Sequence, residues 1–252
     1  MEHIQLLLQN IAADKNIQIL YACETGSRAW GFPSPDSDYD IRFIYRHPKD
    51  WYLHLGNRKD TVEIMDGDWD ITGWDLRKSL NLLKKSNASL IERFQSPIQY
   101  FAGEAFTKGF QQLIPAYYSP TAVFYHHYSL AKKFWEELKD ATDIKLKSYF
   151  YLVRSLLSCN WIVRDRSVLP MHIEGLMQYN SEANTQLLLE LITLKATVGE
   201  KYLHKKDATL QALVLDLFEY IEPAKDNLGV NNTSYAMLDN FFLKTLDADT
   251  HH

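Results

Sequence analysis

Cysteine is nearly absent from this chain, with only Cys23 and Cys159 among 252 residues. The two are far apart and have no partner at metal-ligand spacing, so neither a disulfide framework nor a zinc knuckle is indicated. A reducing cytoplasm is the expected setting. Also missing is any apolar run near the ~18 to 20 residues that a helix needs to cross a bilayer, which excludes a spanning role and any membrane partner of that kind. The opening MEHIQLLLQNIAADK carries Ile4, Leu7, Leu8 and Ile11 on one helical stripe, without a basic lead or a continuous apolar stretch, so no signal peptide is expected. Positive charge is in deficit, with 27 Lys and Arg against 32 Asp and Glu and a net charge of −5. Binding long nucleic acid through a generally basic surface is therefore excluded, because that mode relies on many cation–phosphate contacts. Repeats and low-complexity tracts are absent, and His251-His252 is too short to be a purification tag.

What is present is ordinary globular material, 46% hydrophobic and 23% charged, enough for one large core or two smaller ones. The first hundred residues mix α and β. After the opening helix, Ile17 to Cys23 is an apolar run of strand length leading into GSRAWG, a small-residue turn suited to opening a helix. Tyr39 to Tyr45 alternates as a strand does, with Tyr39, Ile41 and Phe43 on one side and Asp38, Asp40 and Arg42 on the other. TVEIM and DWDIT flank Asp66-Gly67, which predicts a hairpin over residues 61 to 72. DLRKSLNLLKKS is helical. The remainder predicts helices at about 103–113, 120–140, 144–165, 182–199, 207–221 and 234–246, with no strand pair. The boundary between the α/β part and the helical part is expected near residues 98 to 120, where Pro97, Pro115 and Pro120 cluster.

Chemistry concentrates in GSRAWGFPSPDSDYDIRF. Gly26 and Ser27 stand between a strand and a helix start, where backbone N–H groups and the helix dipole favour phosphate, and a glycine lets phosphate approach the backbone. Asp38 and Asp40 are two residues apart on one strand, so both carboxylates project from one face. Such a pair needs positive charge between its members, and Mg²⁺ or Mn²⁺ bound with substrate phosphates answers that need. Asp70, flanked by Trp69 and Ile71, is the third carboxylate expected at the site. Asp68 competes with it from a position beside the turn. The plain alternative is that SPDSDYD is only a polar turn entering an edge strand, and the Gly-Ser pair with a later flanked Asp argues against it.

The order Gly-Ser, spacer, Asp-x-Asp, flanked Asp resembles the DNA polymerase beta nucleotidyltransferase superfamily. Within it, GSRAWGFPSPDSDYDIRFIY, GWDLRKSLNLLKKSN, SPIQY and KSYFYLVRSLLSCNWI, together with LPMHIEGL, look like a predicted nucleotidyltransferase family named for an RNA-repair pathway, over most of residues 20 to 180. The resemblance implies an α+β fold in which a polymerase-beta-like nucleotidyltransferase domain (1–110), a mixed sheet with helices, precedes a C-terminal helical bundle (111–252) completing the nucleotide and acceptor cleft. It also implies Asp38, Asp40 and Asp70 as catalytic metal ligands, Gly26 and Ser27 as triphosphate contacts, and an NTP as substrate. RNA ends are the implied acceptor. A small molecule or a protein hydroxyl is the alternative, as is a catalytically silent nucleotide-binding module.

Further candidates come from the residues themselves. Arg28 follows Ser27 and suits either a phosphate or Asp36. Lys147, Tyr151 and Arg154 fall at i, i+4 and i+7 of one predicted helix, a basic face that suits a triphosphate or simply solvent. Beside them Phe150, Val153, Leu157 and Trp161 form a stripe that should bury. Arg42 shares the aspartates' strand face and is a candidate to balance their charge. His126-His127 are expected to be structural, since adjacent helical residues point about 100° apart.

Overall fold

The computed structural model describes residues 1–229, 231 and 233–248, so His251-His252 lies outside the described residues. The fold is mixed α+β, and the chain forms two compact units, each discontinuous. The first takes Met1–Gly26, Asp38–Tyr118 and the segment from Asn231 onward, and the second takes Ser27–Ser37 and 119–229. Helix α5 (Glu104–Tyr117) runs through residue 110, and the last helix belongs to the first unit.

In the first unit, α1 (Glu2–Lys15) stops at Asn16, whose left-handed φ of 49° lets its N–H return to Ala12 and Ala13 carbonyls. Five strands follow: β1 (Gln18–Glu24), β2 (Tyr39–Arg46), β3 (Thr61–Asp66), β4 (Trp69–Asp75) and β5 (Gln99–Ala102). Their order in the sheet is β3-β4-β2-β1-β5, and β2 with β4 is the parallel pair. Alternation decides the two faces. Ala22, Ile41, Phe43, Tyr45 and Ile71 meet Ile4, Leu8 and Ile11 of α1 on one side, each buried large side chain contributing roughly 1.5–3 kcal/mol. On the other, Tyr21 stacks on Phe94 at 4.7 Å and Phe94 on Phe110 at 4.3 Å, tying β1 to α4 (Ala88–Arg93) and α5. The predicted hairpin is present but extends to Asp75, and Gly67-Asp68 form its two-residue tip, with φ +57° at Gly67. Asp75 then caps α3 (Leu76–Lys84), accepting from the Arg77 N–H at 2.8 Å.

The second unit is mainly helical. It holds α2 (Gly26–Trp30), whose first residue closes a segment of the first unit, then α6 (Pro120–Leu138), α7 (Leu146–Asp165), α8 (Ile173–Leu176), α9 (Glu182–Lys195) and α10 (Ala208–Ile221). Helix α11 (Ala236–Asp247) belongs to the first unit. Fourteen of the twenty residues of α7 are buried, so it is a central helix of its unit. The expectation of no strand pair in the helical half is corrected: β6 (Asp143–Lys145) and β7 (Leu203–Lys205) pair antiparallel with Ile144 opposite His204. Three-residue strands carry too little alternation to be seen in sequence.

Candidate functional site

Strand β1 ends on Glu24, and β2 begins beside it. Thr25 donates its N–H to the Asp40 carbonyl at 2.9 Å. Glu24 is fully buried and accepts the Asp40 N–H at 2.7 Å through Oε1, while its Oε2 accepts the Tyr100 hydroxyl. The Asp40 backbone is thus clamped on both sides. Gly26 sits against its side chain: a Cβ there would lie 1.9 Å from Asp40 Oδ2, and the glycine holds φ +62°. The space left by the missing Gly26 side chain thus faces the Asp40 carboxylate.

The parallel register places Asp40 directly opposite Asp70. Between them lies Arg42, whose Nη2 donates to Asp40 Oδ1 at 2.9 Å and to Asp70 Oδ2 at 2.7 Å. Its Nη1 donates to the Asp70 and Ile41 carbonyls at 2.7 and 3.2 Å. Burial raises the Asp40 carboxyl above the ordinary 3.8, Arg42 pulls it back down, and Asp70 and Asp38 push it up. Asp38 therefore acts on Asp40 through space from the residue preceding β2. Asp68, in the turn, gives its carbonyl to the Tyr39 N–H at 2.8 Å, which leaves Asp70 as the carboxylate paired with Asp40.

Among the described residues no group of three His, Cys, Asp or Glu side chains is close enough to hold a metal ion. Asp40 and Asp70 converge on Arg42, and Asp38 acts on Asp40 from the residue before β2. The donor chemistry still fits Mg²⁺ or Mn²⁺, which take one or two carboxylates and complete their shell with phosphate and water oxygens. That the pair already holds a guanidinium shows it to be a place for positive charge.

Ser27, Arg28 and the rest of the 27–37 segment belong to the second unit. Ser27 Oγ donates to Ser37 Oγ at 3.1 Å, and Arg28 donates to the Ser37 carbonyl at 3.3 Å. Asp36, the alternative partner for Arg28, accepts the Glu200 N–H at 2.9 Å. Lys195, the buried last residue of α9, donates to Ser34 Oγ at 2.7 Å. The segment is thus tied down on several sides. Lys147 pairs with Glu200 at 2.6 Å, and Tyr151 meets Trp30 edge-on at 5.1 Å. Arg154 is buried, donates to the Met171 carbonyl at 3.0 Å and lies 4.3 Å over the Trp30 ring. Of the three, Arg154 is buried while Lys147 and Tyr151 are half-buried.

Sequence reasoning missed Glu24 and Tyr100. The available signal was a lone acid closing the apolar run QILYACE. Near the motif, Phe32 stacks on Phe150 at 4.9 Å and Tyr39 on Trp69 at 4.7 Å.

An uncharacterized protein of Bacillus subtilis (strain 168), YcgL, is 38% identical over 218 residues, covering 85% of this chain and 81% of that protein. The sequence profile of the RNA repair pathway DNA polymerase beta family matches residues 1–244.

Proposed function

Because the chain belongs to the RNA repair pathway DNA polymerase beta family, we propose that it moves a nucleoside monophosphate from an NTP to an acceptor hydroxyl, foremost an RNA end, with pyrophosphate leaving. One observation carries the reading: Asp40 and Asp70, in register on adjacent parallel strands, converge on a single cation. Asp40 and Asp70, with Asp38 at the edge, would hold Mg²⁺ or Mn²⁺, which when bound neutralises charge on the phosphates. Glu24 and Tyr100 fix the Asp40 backbone so that its carboxylate stays on station. Asp70 Oδ2 would take the proton of the attacking hydroxyl. Gly26 spaces Asp40, and Ser27, its neighbour in the chain, is the proposed triphosphate contact.

The test is pyrophosphate release from each NTP with Mg²⁺ or Mn²⁺ and a panel of acceptors: RNA, an aminoglycoside and a protein extract. Asp40→Asn should lower release by more than about 100-fold, beyond the range of changes outside the ligand shell, with thermal stability retained. Full activity in Asp40→Asn would reject the reading.

A second reading, a silent nucleotide-binding module, is favoured by Arg42, which occupies the space between the carboxylates that a metal would need. The two readings separate on Arg42→Ala. Under nucleotidyl transfer, Mn²⁺ stabilises this variant more than the native protein, because a competing cation is gone; a ligand at 100 times its Kd adds about 2.7 kcal/mol. Under the silent reading, NTP stabilises the native protein without metal, and Mn²⁺ changes neither melting curve.

A further inference from the structure

At the other end of β2 and β4 from Asp40 and Asp70, where Tyr45 lies opposite Asp75, a cavity of about 420 Å³ opens in the first unit. Five residues of strand separate the two places, about 16 Å. Four cations line the cavity, Arg58, Arg77, Lys78 and Lys85, against two acids, Asp60 and Asp75. In a chain of net charge −5 this is a local reversal of sign. Both acids are already engaged. Asp60 pairs with Lys78 at 2.8 Å, and the buried Asp75 accepts from the Tyr52 hydroxyl at 2.7 Å and from the Arg77 N–H at 2.8 Å. Arg77 also acts on the Asp75 carboxylate through its charge, whereas among the described residues no ion pair engages Arg58 or Lys85.

Both guanidinium groups lie over rings: Arg58 is 5.5 Å from the Trp51 centroid and Arg77 4.9 Å from that of Tyr52. Trp51 is itself stacked on His47 at 4.0 Å. Cations interleaved with flat aromatic faces suit phosphates and unpaired bases together. Extent favours a strand over a lone nucleotide: Arg77 and Lys85 are eight helical steps apart, about 12 Å, which is a run for successive phosphates.

We propose that this cavity is a docking site for single-stranded RNA, holding the acceptor upstream of the end presented at Asp40 and Asp70. The inference deepens the nucleotidyl-transfer reading and rests on it only for the use made of the strand.

The test uses the full chain and the double variant Arg58→Ala/Lys85→Ala, both positions being exposed. Binding of a labelled oligouridylate is followed by anisotropy across a salt series, beside binding of free UTP with Mg²⁺. The expected result is at least about a tenfold weaker oligouridylate affinity near 50 mM salt. The log–log salt slope should be shallower by about 1.4, that is 0.7 for each of two lost phosphate contacts, with UTP affinity unchanged. An unchanged affinity and slope would overturn the proposal, as would no binding of oligouridylate by the native protein, or an equal loss for UTP. Pyrophosphate release separates the two claims. If the variant binds the strand as the native protein does while RNA-dependent release persists, the docking site fails and the transfer reading stands. If the variant loses the strand but no acceptor elicits release from the native protein, the docking site stands and the transfer reading fails.

Discussion

At the scale of single residues, the site is held by exclusions as much as by bonds. Gly26 is required twice over, by its φ of +62° and by Asp40 Oδ2 standing 1.9 Å from where a Cβ would go. Gly67 shares the positive φ, at +57°, but has no atom within 4 Å of its virtual Cβ. The two therefore form a matched pair. Gly67→Ala should cost only the left-handed backbone penalty, about 1–2 kcal/mol, and leave pyrophosphate release alone. Gly26→Ala should cost more in urea unfolding and also suppress release by displacing Asp40; equal effects on both measurements would show that the contact with Asp40 is immaterial. Gly26 was picked out in the sequence for a phosphate, and its neighbour in space proved to be a carboxylate. A sequence names a glycine but not the atom that fills the space beside it.

At the scale of elements, the register between β2 and β4 makes the site. A parallel pair with Asp40 opposite Asp70 brings together carboxylates thirty residues apart, and a slip by one residue would send one of them to the face packed on α1. Behind the pair, Tyr100 on β5 donates to Glu24 on β1, so an edge strand supports its inner neighbour. Tyr100→Phe leaves the buried Glu24 short of a donor and should destabilise by roughly 1–3 kcal/mol. A drop in activity larger than the stability loss explains is expected with it, read as a lower kcat in a fully folded sample. No change in either quantity would show that the clamp on Asp40 does not depend on β5.

At the scale of the whole molecule, stability carries a pH signature from a group in the second unit. His127 on α6 is completely desolvated and lies near Arg154 and His126, so its folded pKa falls well below the ordinary 6.5. With the folded value depressed, the unfolded chain binds the extra proton first. The contribution of His127 is complete above pH 6.5 and is lost as pH falls below it, by about 1.4 kcal/mol per pH unit. Chemical unfolding between pH 7 and pH 5 should therefore show a loss that His127→Gln flattens, and an identical slope in the variant would assign the loss to other groups. Membership of a family named for RNA repair and the overall acidity are compatible at this scale, because charge is distributed unevenly and the cavity beside α3 reverses the sign locally.

By itself the sequence determined the α+β composition, the opening helix, the strand carrying Asp40, the hairpin and most of the later helices, because all of these rest on local periodicity of apolar side chains. It also determined the family, through a motif whose spacing is written along the chain. Only the tertiary structure decided that Asp70 rather than Asp68 faces Asp40, that Arg42 bridges them, that Glu24 and Tyr100 stand behind, and that Arg154 is buried in its own unit. Strand register and side-chain burial arise from contacts between segments distant in sequence, and no local pattern encodes which distant partner a side chain will meet.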